Sequence, residues 1–431
     1  MAQRSTPPWL FGLTCIPYGV VGAFIGGVMP FLARKSGSSV SDIGWFVTLM
    51  FLPPVLQFLY APIIDFGPRR KHWLLIVTGI GAAALVGAMA MPLPGRLVPF
   101  LAFAFVAQLI SGLVGSCNGG LMATMITDDV RGRAGAWYNI GNLCGGGIFG
   151  ALAVYLLGKG WEPVTVGLLL AAAMIVPALA VLAIDEPPRE KGRAAGEVFG
   201  SLLRDVRGVL LSRGGATGLL LFLSPVGTAA LVNFWSALAT DYVRPDLLGE
   251  MAKLDATAAK ALLDERAAEV VAFVNGPIGQ GLTAVGALAG GYLCDRTNRR
   301  AMYLLAGALT AVCGIGMALS SPSEGTFVWG ALVYALITGF CYTAFTATVL
   351  ETIGGSKAAA STRYAMCVAS GNLAIAYVGL IDTRFASEAH IEHVVWSDAA
   401  LNLGGVVALG TVFWLLRSFG RTHHEPPAAA A

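Results

Sequence analysis

The sequence predicts an all-α polytopic membrane protein in which twelve transmembrane helices form two parallel six-helix repeats. Three observations lead to this fold class: the composition, the number of long apolar runs, and a motif that recurs at a fixed distance. Of the 431 residues, 56% are hydrophobic and only 12% are charged. Soluble domains carry about 25% charged residues, so this chain has too few of them to cover a soluble surface.

The apolar runs supply the helix count. A helix needs about 20 apolar residues to cross the hydrocarbon core of a bilayer. Pro53 and Pro54 in the second run and Pro225 in the seventh are expected bend points, since proline interrupts helical hydrogen bonding. The twelve predicted spans are 9–33, 43–65, 72–92, 98–127, 132–158, 163–184, 215–241, 266–294, 300–320, 325–353, 361–385 and 396–418.

A polar stretch between the sixth and seventh spans divides the chain into halves. Apolar residues recur at helical spacing over 197–213, which predicts an amphipathic helix lying on the membrane surface. The expected organisation is an N-terminal six-helix bundle, a cytoplasmic linker that contains this helix, a C-terminal six-helix bundle and a disordered cytoplasmic tail: 1–184, 185–214, 215–418 and 419–431.

Basic residues indicate the orientation. With the N-terminus placed in the cytoplasm, 19 of the 28 lysines and arginines fall on the cytoplasmic side. Cytoplasmic loops carry an excess of these residues in membrane proteins. We therefore expect a multi-pass protein of the inner membrane with both termini in the cytoplasm.

The eighth span is preceded by a charged stretch. Residues 246–273 contain no proline, and Lys260 and Asp264 are four residues apart, as in helices stabilised by ion pairs. The eighth helix is therefore predicted to extend beyond the bilayer. A lid over 243–269 and a solvated linker remain alternatives.

A short motif of one acid and two bases follows the second apolar run and returns after the eighth. Both copies contain an aspartate, three intervening residues and two arginines, and they lie 230 residues apart: Asp65, Arg69 and Arg70, then Asp295, Arg299 and Arg300. The fifth and eleventh spans show the same offset. Since each half has an even number of spans, the two repeats are expected to share one orientation in the membrane.

These features resemble the major facilitator superfamily. Within it, Gln57 to Asp65 resembles the K-F-L-W-x-P-x-x-D segment of the peptide and acetyl-coenzyme A transporter branch, which includes muropeptide permeases. Arg363-Tyr364-Ala365 with Ser370-Gly371-Asn372-Leu373 resembles its Q-Y-A…S-x-N-L segment. Gln57 stands where the branch often has lysine, and 116–122 lacks the acid of its fourth helix. The resemblance implies two bundles that rock about a midplane cavity.

The motif residues are the candidate gating residues. A carboxylate at Asp65 or Asp295 can pair with the arginines of its own copy and can accept hydrogen bonds from the N-terminus of a neighbouring helix. Such contacts form only when the halves close on that side. The alternative is that the bases merely fix topology, but topology does not require the repeated acid.

Polar residues at membrane depth are the candidate substrate-binding residues. Asn142 and Asn372 occupy equivalent places in the two halves, and Asn139 lies one turn before Asn142. A buried amide without a partner is costly, so these side chains should face a cavity or bond a neighbouring helix. Weaker candidates are Gln108, Asn118, Asn233, Trp235 and Tyr342.

No acid lies at the centre of a span. Glu351, near the end of the tenth span, is the candidate for proton coupling. A salt bridge to Lys357 or Arg363 is the alternative role for this side chain. Asp382 and Arg384 are interpreted as a local pair.

The predicted function is secondary active or facilitative transport of a small organic solute by alternating access. Muropeptide, peptide or sugar-like solutes are favoured, a drug or metabolite exporter is the alternative, and a non-transporting assembly factor is the alternative of another class. The sequence has no motif for nucleotide binding or hydrolysis, and it predicts no enzyme, cofactor, metal or nucleic-acid partner. We expect a monomer in the bilayer, with protons as a possible second substrate.

Overall fold

The computed structural model describes residues 6–188, 221–354, 359–385 and 392–421, and the regular secondary structure in these ranges is helical. We number the helices so that they match the predicted spans. They are α1, Leu10–Lys35; α2, Val40–Val55 and Gln57–Asp65; α3, Arg70–Met89; α4, Leu97–Met125; α5, Asp128–Gly158; α6, Pro163–Ala183; α7, Ala230–Phe234 and Trp235–Met251; α8, Ala256–Asn275 and Pro277–Arg296; α9, Arg299–Leu319; α10, Glu324–Ile353; α11, Ala360–Phe385; and α12, Glu392–Arg421.

The helix count agrees with the predicted twelve-helix fold. Ten helices in the described ranges are long and apolar enough to cross a membrane, and α2 makes eleven when its two segments count as one span. The remaining predicted span, the seventh, begins among residues outside the described ranges, and its described part is α7. The fold class read from composition and apolar runs is therefore confirmed.

Two helices are interrupted where the sequence predicts bends. In α2 the segments on either side of Leu56 meet at 45°, directly after Pro53 and Pro54. In the seventh span, Pro225 lies in a non-helical stretch, and Gly227 and Ala229 follow with positive φ angles of 64° and 54°. Proline lacks the N–H group that would continue the helical ladder, which explains both interruptions.

The charged stretch before the eighth span differs from its prediction. The helix begins at Ala256 rather than near residue 246, because Asp255 caps it by accepting a hydrogen bond from the Ala258 N–H at 2.8 Å. Gly276 then separates this segment from Pro277–Arg296. The segment packs on α7 and is tied to α10 by Arg266, which lies 2.8 Å from Glu324.

The described residues include only parts of the predicted linker and of the predicted C-terminal tail. The predicted amphipathic helix at 197–213 lies outside the described residues, as does most of the linker. At the C-terminus, α12 continues to Arg421, three residues into the segment 419–431 that the sequence predicts to be disordered.

Glycines allow close helix packing inside each half. A Cβ atom at Gly141 of α5 would overlap the backbone of Gly12 in α1. In the second half, a Cβ atom at Gly286 of α8 would overlap the backbone of Leu336 in α10. Lipid tails are as apolar as buried side chains, so the hydrophobic effect does not hold helices together in a membrane. Small residues do so, because they let the helix backbones pack closely. These contacts fix the helices that carry the motif and the candidate binding residues.

Candidate functional site

The first motif copy joins the two halves of the chain. Asp65 at the end of α2 accepts hydrogen bonds from the Thr362 N–H at 2.8 Å, the Thr362 hydroxyl at 2.7 Å and the Ser361 N–H at 3.3 Å. These donors form the N-terminus of α11, where the helix dipole favours a negative charge. Arg70 pairs with the same carboxylate at 2.7 Å and donates to the Ser361 hydroxyl. We call this set the α2–α11 contact.

The second copy makes the equivalent contact across the pseudosymmetric interface. Asp295 at the end of α8 accepts hydrogen bonds from the N–H groups of Gly132 at 2.6 Å and Arg133 at 3.2 Å, at the start of α5. Gly132 and Thr362 are 230 residues apart, as are the two aspartates, so each half offers the same backbone position to the acid of the other. We call this set the α5–α8 contact.

The arginine partners are not the same in the two contacts. Asp65 pairs with Arg70 of its own motif, whereas Asp295 pairs with Arg133 of α5 at 2.8 Å instead of Arg299 or Arg300. The side chain of Arg70 is only 8% exposed, and that of Arg133 is 52% exposed. The expectation of intramotif pairing is therefore correct for the first copy and wrong for the second.

The remaining motif arginines bind other groups near the same surface. Arg69 donates to the backbone carbonyl of Glu186 at 3.3 Å. Arg299 lies 3.5 Å from Glu351, and Arg300 lies 3.4 Å from it. Glu351 thus forms its ion pairs with the second motif copy, and Lys357, one of its expected partners, lies outside the described residues.

We call the surface that carries both contacts the motif face. The halves are also joined deeper in the molecule, where Asn372 donates to the Pro54 carbonyl and the Cys144 thiol donates to the Gln280 carbonyl. Among the described residues, no hydrogen bond between the halves lies farther from the motif face than this last one. The molecule is therefore closed at its motif face.

A cavity of about 100 Å³ lies between the halves, deeper in the molecule than the α2–α11 and α5–α8 contacts. Asn142, which lines it, is ten residues from Gly132, so its depth is about 15 Å, half of a hydrocarbon core of about 30 Å. None of the lining residues carries a charged side chain. They are Tyr18, Tyr138, Asn139, Asn142, Phe222, Ser224, Val226, Gly227, Thr228, Tyr303, Tyr342, Phe345, Thr346, Tyr364, Val368, Gly371, Asn372, Ala374 and Ile375.

Four predicted binding residues meet at this cavity. Asn139 donates to the Tyr342 carbonyl and the Thr346 hydroxyl, both at 3.1 Å, and so also joins α5 to α10. Asn142 and Asn372 are half-buried and line the cavity from opposite halves of the chain. Asn139 therefore combines the two roles that the sequence left open, since its amide both borders the cavity and binds a neighbouring helix.

The interrupted part of the seventh span forms one wall of the cavity. Interrupting a helix frees backbone carbonyls, and tyrosine hydroxyls satisfy them here: Tyr303 donates to Val226 at 3.0 Å and Tyr342 donates to Thr228 at 3.2 Å. The hydroxyls of Ser224 and Thr228 have no hydrogen-bond partner among the described residues. Two polar groups in this wall are thus available to a bound solute.

The other predicted binding residues lie elsewhere. Asn118 is fully buried and bonds the hydroxyl and carbonyl of Thr14, so it joins α4 to α1. Trp235 packs in a buried cluster against Phe327 and Tyr334. Gln108 is partly buried in α4 and is not among the lining residues. The backbone of Asn233 is helical, and its side chain lies outside the described part of the chain.

A family comparison explains this architecture. The sequence model of the family described as Major Facilitator Superfamily matches residues 11–377. The chain belongs to the major facilitator superfamily. This is a family of membrane transporters, and the paired contacts at the motif face and the central cavity are consistent with it. No protein of curated function matches the chain by sequence.

Solved structures of the superfamily share the fold. The human organic anion transporter MFSD10 is 14% identical, with a TM-score of 0.66, over 94% of this chain and 100% of that one. The proton:xylose symporter XylE, bound to 6-bromo-6-deoxy-D-glucose, is 13% identical with a TM-score of 0.67, over 94% of each chain. The E. coli fucose:proton symporter FucP is 13% identical with a TM-score of 0.61, over 94% and 98%. Identities this low show the fold alone, and the peptide and acetyl-coenzyme A branch is not distinguished.

The aromatic lining was missed by the sequence reasoning. Tyr18, Tyr138, Tyr303 and Tyr364 border the cavity, yet only Tyr342 was a candidate. One signal was available, because Tyr138 lies one helical turn before Asn142 and directly precedes Asn139. Tyr18, Tyr303 and Tyr364 come from three other helices, α1, α9 and α11, so only the packing brings them to one cavity.

Proposed function

We propose that the chain is a secondary transporter that moves a small, uncharged, hydroxyl-rich solute across the inner membrane by alternating access. The observation that carries the proposal is the midplane cavity, which is lined by amides, hydroxyls and aromatic rings and is closed on one side by paired carboxylates. Ligand pockets usually measure about 300–1,000 Å³. At about 100 Å³ this cavity must widen to admit a solute, which rocking of the two halves would achieve.

The lining favours a neutral solute over a charged one. A buried charge requires a partner of opposite sign, and none is provided by the lining residues. Asn142, Asn372 and the free hydroxyls of Ser224 and Thr228 can bond hydroxyl groups, while tyrosine rings can cover the apolar face of a sugar. XylE and FucP are described as sugar symporters, which agrees with a sugar or sugar-linked solute. Muropeptide and peptide solutes fit less well because they carry charges.

A drug or metabolite exporter is the second candidate. Phe222 and Phe345 pack edge to face with centroids 5.1 Å apart and make part of the lining apolar. An assembly factor without transport activity would not require polar residues around a central space. The cavity bordered by Asn139, Asn142 and Asn372 supports transport over that alternative.

The orientation and the closed state are part of the proposal. We place the motif face in the cytoplasm, with both termini, because basic residues concentrate there. The described conformation is then closed to the cytoplasm, with Asp65, Asp295 and their partners acting as the gate. We further propose that the protein acts as a monomer with the two bundles divided near residues 185–214.

The cavity amides provide a first test. We expect Asn142→Ala combined with Asn372→Ala to reduce solute uptake about 5- to 150-fold, since losing hydrogen bonds to the solute costs about 0.5–1.5 kcal/mol each. The measurement is uptake into proteoliposomes at matched protein content. Asn118→Ala is the control, because Asn118 bonds only within its own half and should affect melting temperature more than solute affinity. Unchanged uptake in the double variant would contradict the proposed site.

Solute class and coupling are tested together. Neutral monosaccharides and disaccharides should raise the melting temperature of the purified protein, because a ligand of the folded state stabilises it by mass action. Uptake of the stabilising sugar is then measured with and without a pH gradient. Glu351→Gln should abolish any gradient dependence if Glu351 carries the proton. If Glu351 only helps to close the motif face by pairing with Arg299 and Arg300, Glu351→Gln should change the rate of solute exchange and leave the dependence of uptake on the pH gradient intact.

A further inference from the structure

A pair of buried acids lies in the second half, outside the cavity lining. Asp382 of α11 and Asp398 of α12 have no exposed surface. The sequence interpretation of Asp382 as the local partner of Arg384 is wrong, since Asp382 accepts a hydrogen bond from the Ser397 hydroxyl at 2.7 Å and Arg384 is exposed. Residues two apart on a helix do not face each other, which explains the missing pair.

Neither acid has a positive partner among the described residues. Among the described residues, no lysine or arginine forms an ion pair with either carboxylate. Asp382 Oδ2 and Asp398 Oδ1 are buried and have no hydrogen-bond donor in the described part of the chain. An ionised carboxylate buried without a cation costs several kcal/mol, and in practice such a group takes up a proton instead.

The bonds that Asp398 does make are those of a weak acceptor. Its Oδ2 atom receives the Tyr334 hydroxyl at 3.2 Å and the Asn402 amide at 3.4 Å. A hydroxyl that donates to an ionised carboxylate normally lies at about 2.5–2.7 Å from it. Ser397, which binds Asp382, directly precedes Asp398, so the acids share one environment in which two negative charges would repel each other.

A chain of hydrogen bonds connects this pair to the cavity. Asn402 donates to the Asp398 carbonyl at 2.9 Å, and its own oxygen accepts the Gly227 N–H at 2.7 Å. Gly227 lies in the interrupted stretch that forms a cavity wall. Asp398 and Gly227 thus bind the same amide side chain, which links the buried acid to the cavity wall.

We propose that Asp398 and Asp382 form a proton-binding site, connected through Asn402 to the part of the seventh span that lines the cavity. One proton from solution forms an O–H bond with a carboxylate oxygen, and the charge of the pair changes from minus two to minus one. The site lies toward the side opposite the motif face, because Asp382 is three residues from the end of α11 and Asp398 is six from the start of α12. The proton-binding site does not depend on the proposed function, whereas the coupling of proton binding to solute transport rests on it.

Among the described residues, the titratable side chains nearest to Asp398 are a phenol and a thiol, and the charged ones lie farther out. Tyr334 of α10 faces Asp398, and the Cys313 thiol of α9 is close enough to interact with it. Farther out, Glu392 and His393 begin α12, and Asp241 of α7 interacts with Glu392 and lies 3.9 Å from Arg244. Asp398 thus faces a phenol and a thiol, both neutral in ordinary conditions, and Asp382 faces the hydroxyl of Ser397.

Infrared spectroscopy tests the proton site without any solute. At about pH 7, where ordinary aspartates are ionised, wild-type protein in liposomes should show the carbonyl-stretch band of a protonated carboxyl group. Asp398→Asn should remove this band, and Asp382→Asn should remove or shift it. Asp255→Asn is the matched control: it removes an exposed carboxylate, and asparagine caps a helix equally well. Absence of the band, or its persistence in both buried-site variants, would overturn the proposal.

Transport then tests the coupling. Asp398→Asn keeps an acceptor for Tyr334 and Asn402 but cannot titrate. Uptake driven by a pH gradient should therefore fall at least tenfold in this variant, while solute exchange without a gradient should remain. If Asp398→Asn does not fold, Asp382→Asn serves in its place. Gradient dependence equal to wild type would contradict the coupling, whereas absence of wild-type uptake would count against the proposed function and leave the infrared result standing.

Discussion

Replacing both motif aspartates by asparagine should open the motif face. Each aspartate accepts backbone N–H groups from the start of a helix in the other half and pairs with an arginine. Hydrogen bonds to charged groups contribute about 1.5–3 kcal/mol, so each change should shift the ratio of closed to open molecules by about 10- to 150-fold. The sites share no residue, and the effects of Asp65→Asn and Asp295→Asn should add.

Thiol labelling measures this shift. Thr346 lines the cavity, so a Thr346→Cys side chain reacts with a membrane-impermeant reagent from the motif face only when the halves separate there. The partly buried Cys144 and Cys313 are first replaced by serine, because the other native cysteines are buried. Asp264→Asn, which removes an exposed acid in α8, should leave labelling unchanged. Equal labelling with and without the paired changes would show that these contacts do not control access.

Gly227→Ala should cause the largest loss of stability of any single methyl addition in the cavity wall. The residue has a φ of 64°, which costs a residue with a side chain about 1–2 kcal/mol. A Cβ atom there would also overlap the Cys341 Sγ atom, and overpacking adds about 1–3 kcal/mol. We expect a lower melting temperature and no solute-induced stabilisation, because the wall that carries Ser224 and Thr228 would be displaced.

Two further variants separate the causes. Gly281→Ala in α8 adds a methyl group where no atom lies within 4 Å, and it should be neutral or stabilising by up to about 1 kcal/mol. Combining Gly227→Ala with Cys341→Ala removes the overlap and leaves the φ penalty. Partial recovery of the melting temperature is the expected result. Full stability of Gly227→Ala alone would show that the interrupted stretch rearranges freely.

The fold could be predicted from the sequence because its main determinants are local or repeated. Apolar run length reports the span count directly, since the bilayer sets a minimum helix length. The 230-residue offset between Asp65 and Asp295 indicated the two equivalent halves, and the matching N–H donors at Gly132 and Thr362 have the same offset. The beginning of α8 could not be located from the sequence. The residues on both sides of Asp255 are compatible with a helix, and the hydrogen bond by which Asp255 caps the helix sets its first residue.

The candidate site was only partly predictable because its members come from six helices. Asn142 and Asn372 were found through the repeat, and Asn139 through helical spacing. Tyr18, Tyr303 and Tyr364 have no such signal. The weaker candidates Asn118 and Trp235 bind or pack within one half of the chain, which the sequence does not reveal. Arg133 pairs with Asp295 because the start of α5 meets the end of α8, a contact that the sequence does not indicate. Asp398 and Asn402 were not singled out, since a single acid near a helix end gives no indication of burial.

The unequal burial of the two contacts makes their response to ionic strength unequal. The Debye length is about 8 Å at physiological salt, and screening acts mainly on charges that water reaches. Arg133 is half-exposed beside Asp295, whereas Arg70 and Asp65 are almost wholly enclosed. Added salt therefore weakens the α5–α8 contact before the α2–α11 contact. Under the proposed alternating-access mechanism, we therefore expect the halves to separate first at the α5–α8 contact and to pivot about the α2–α11 contact.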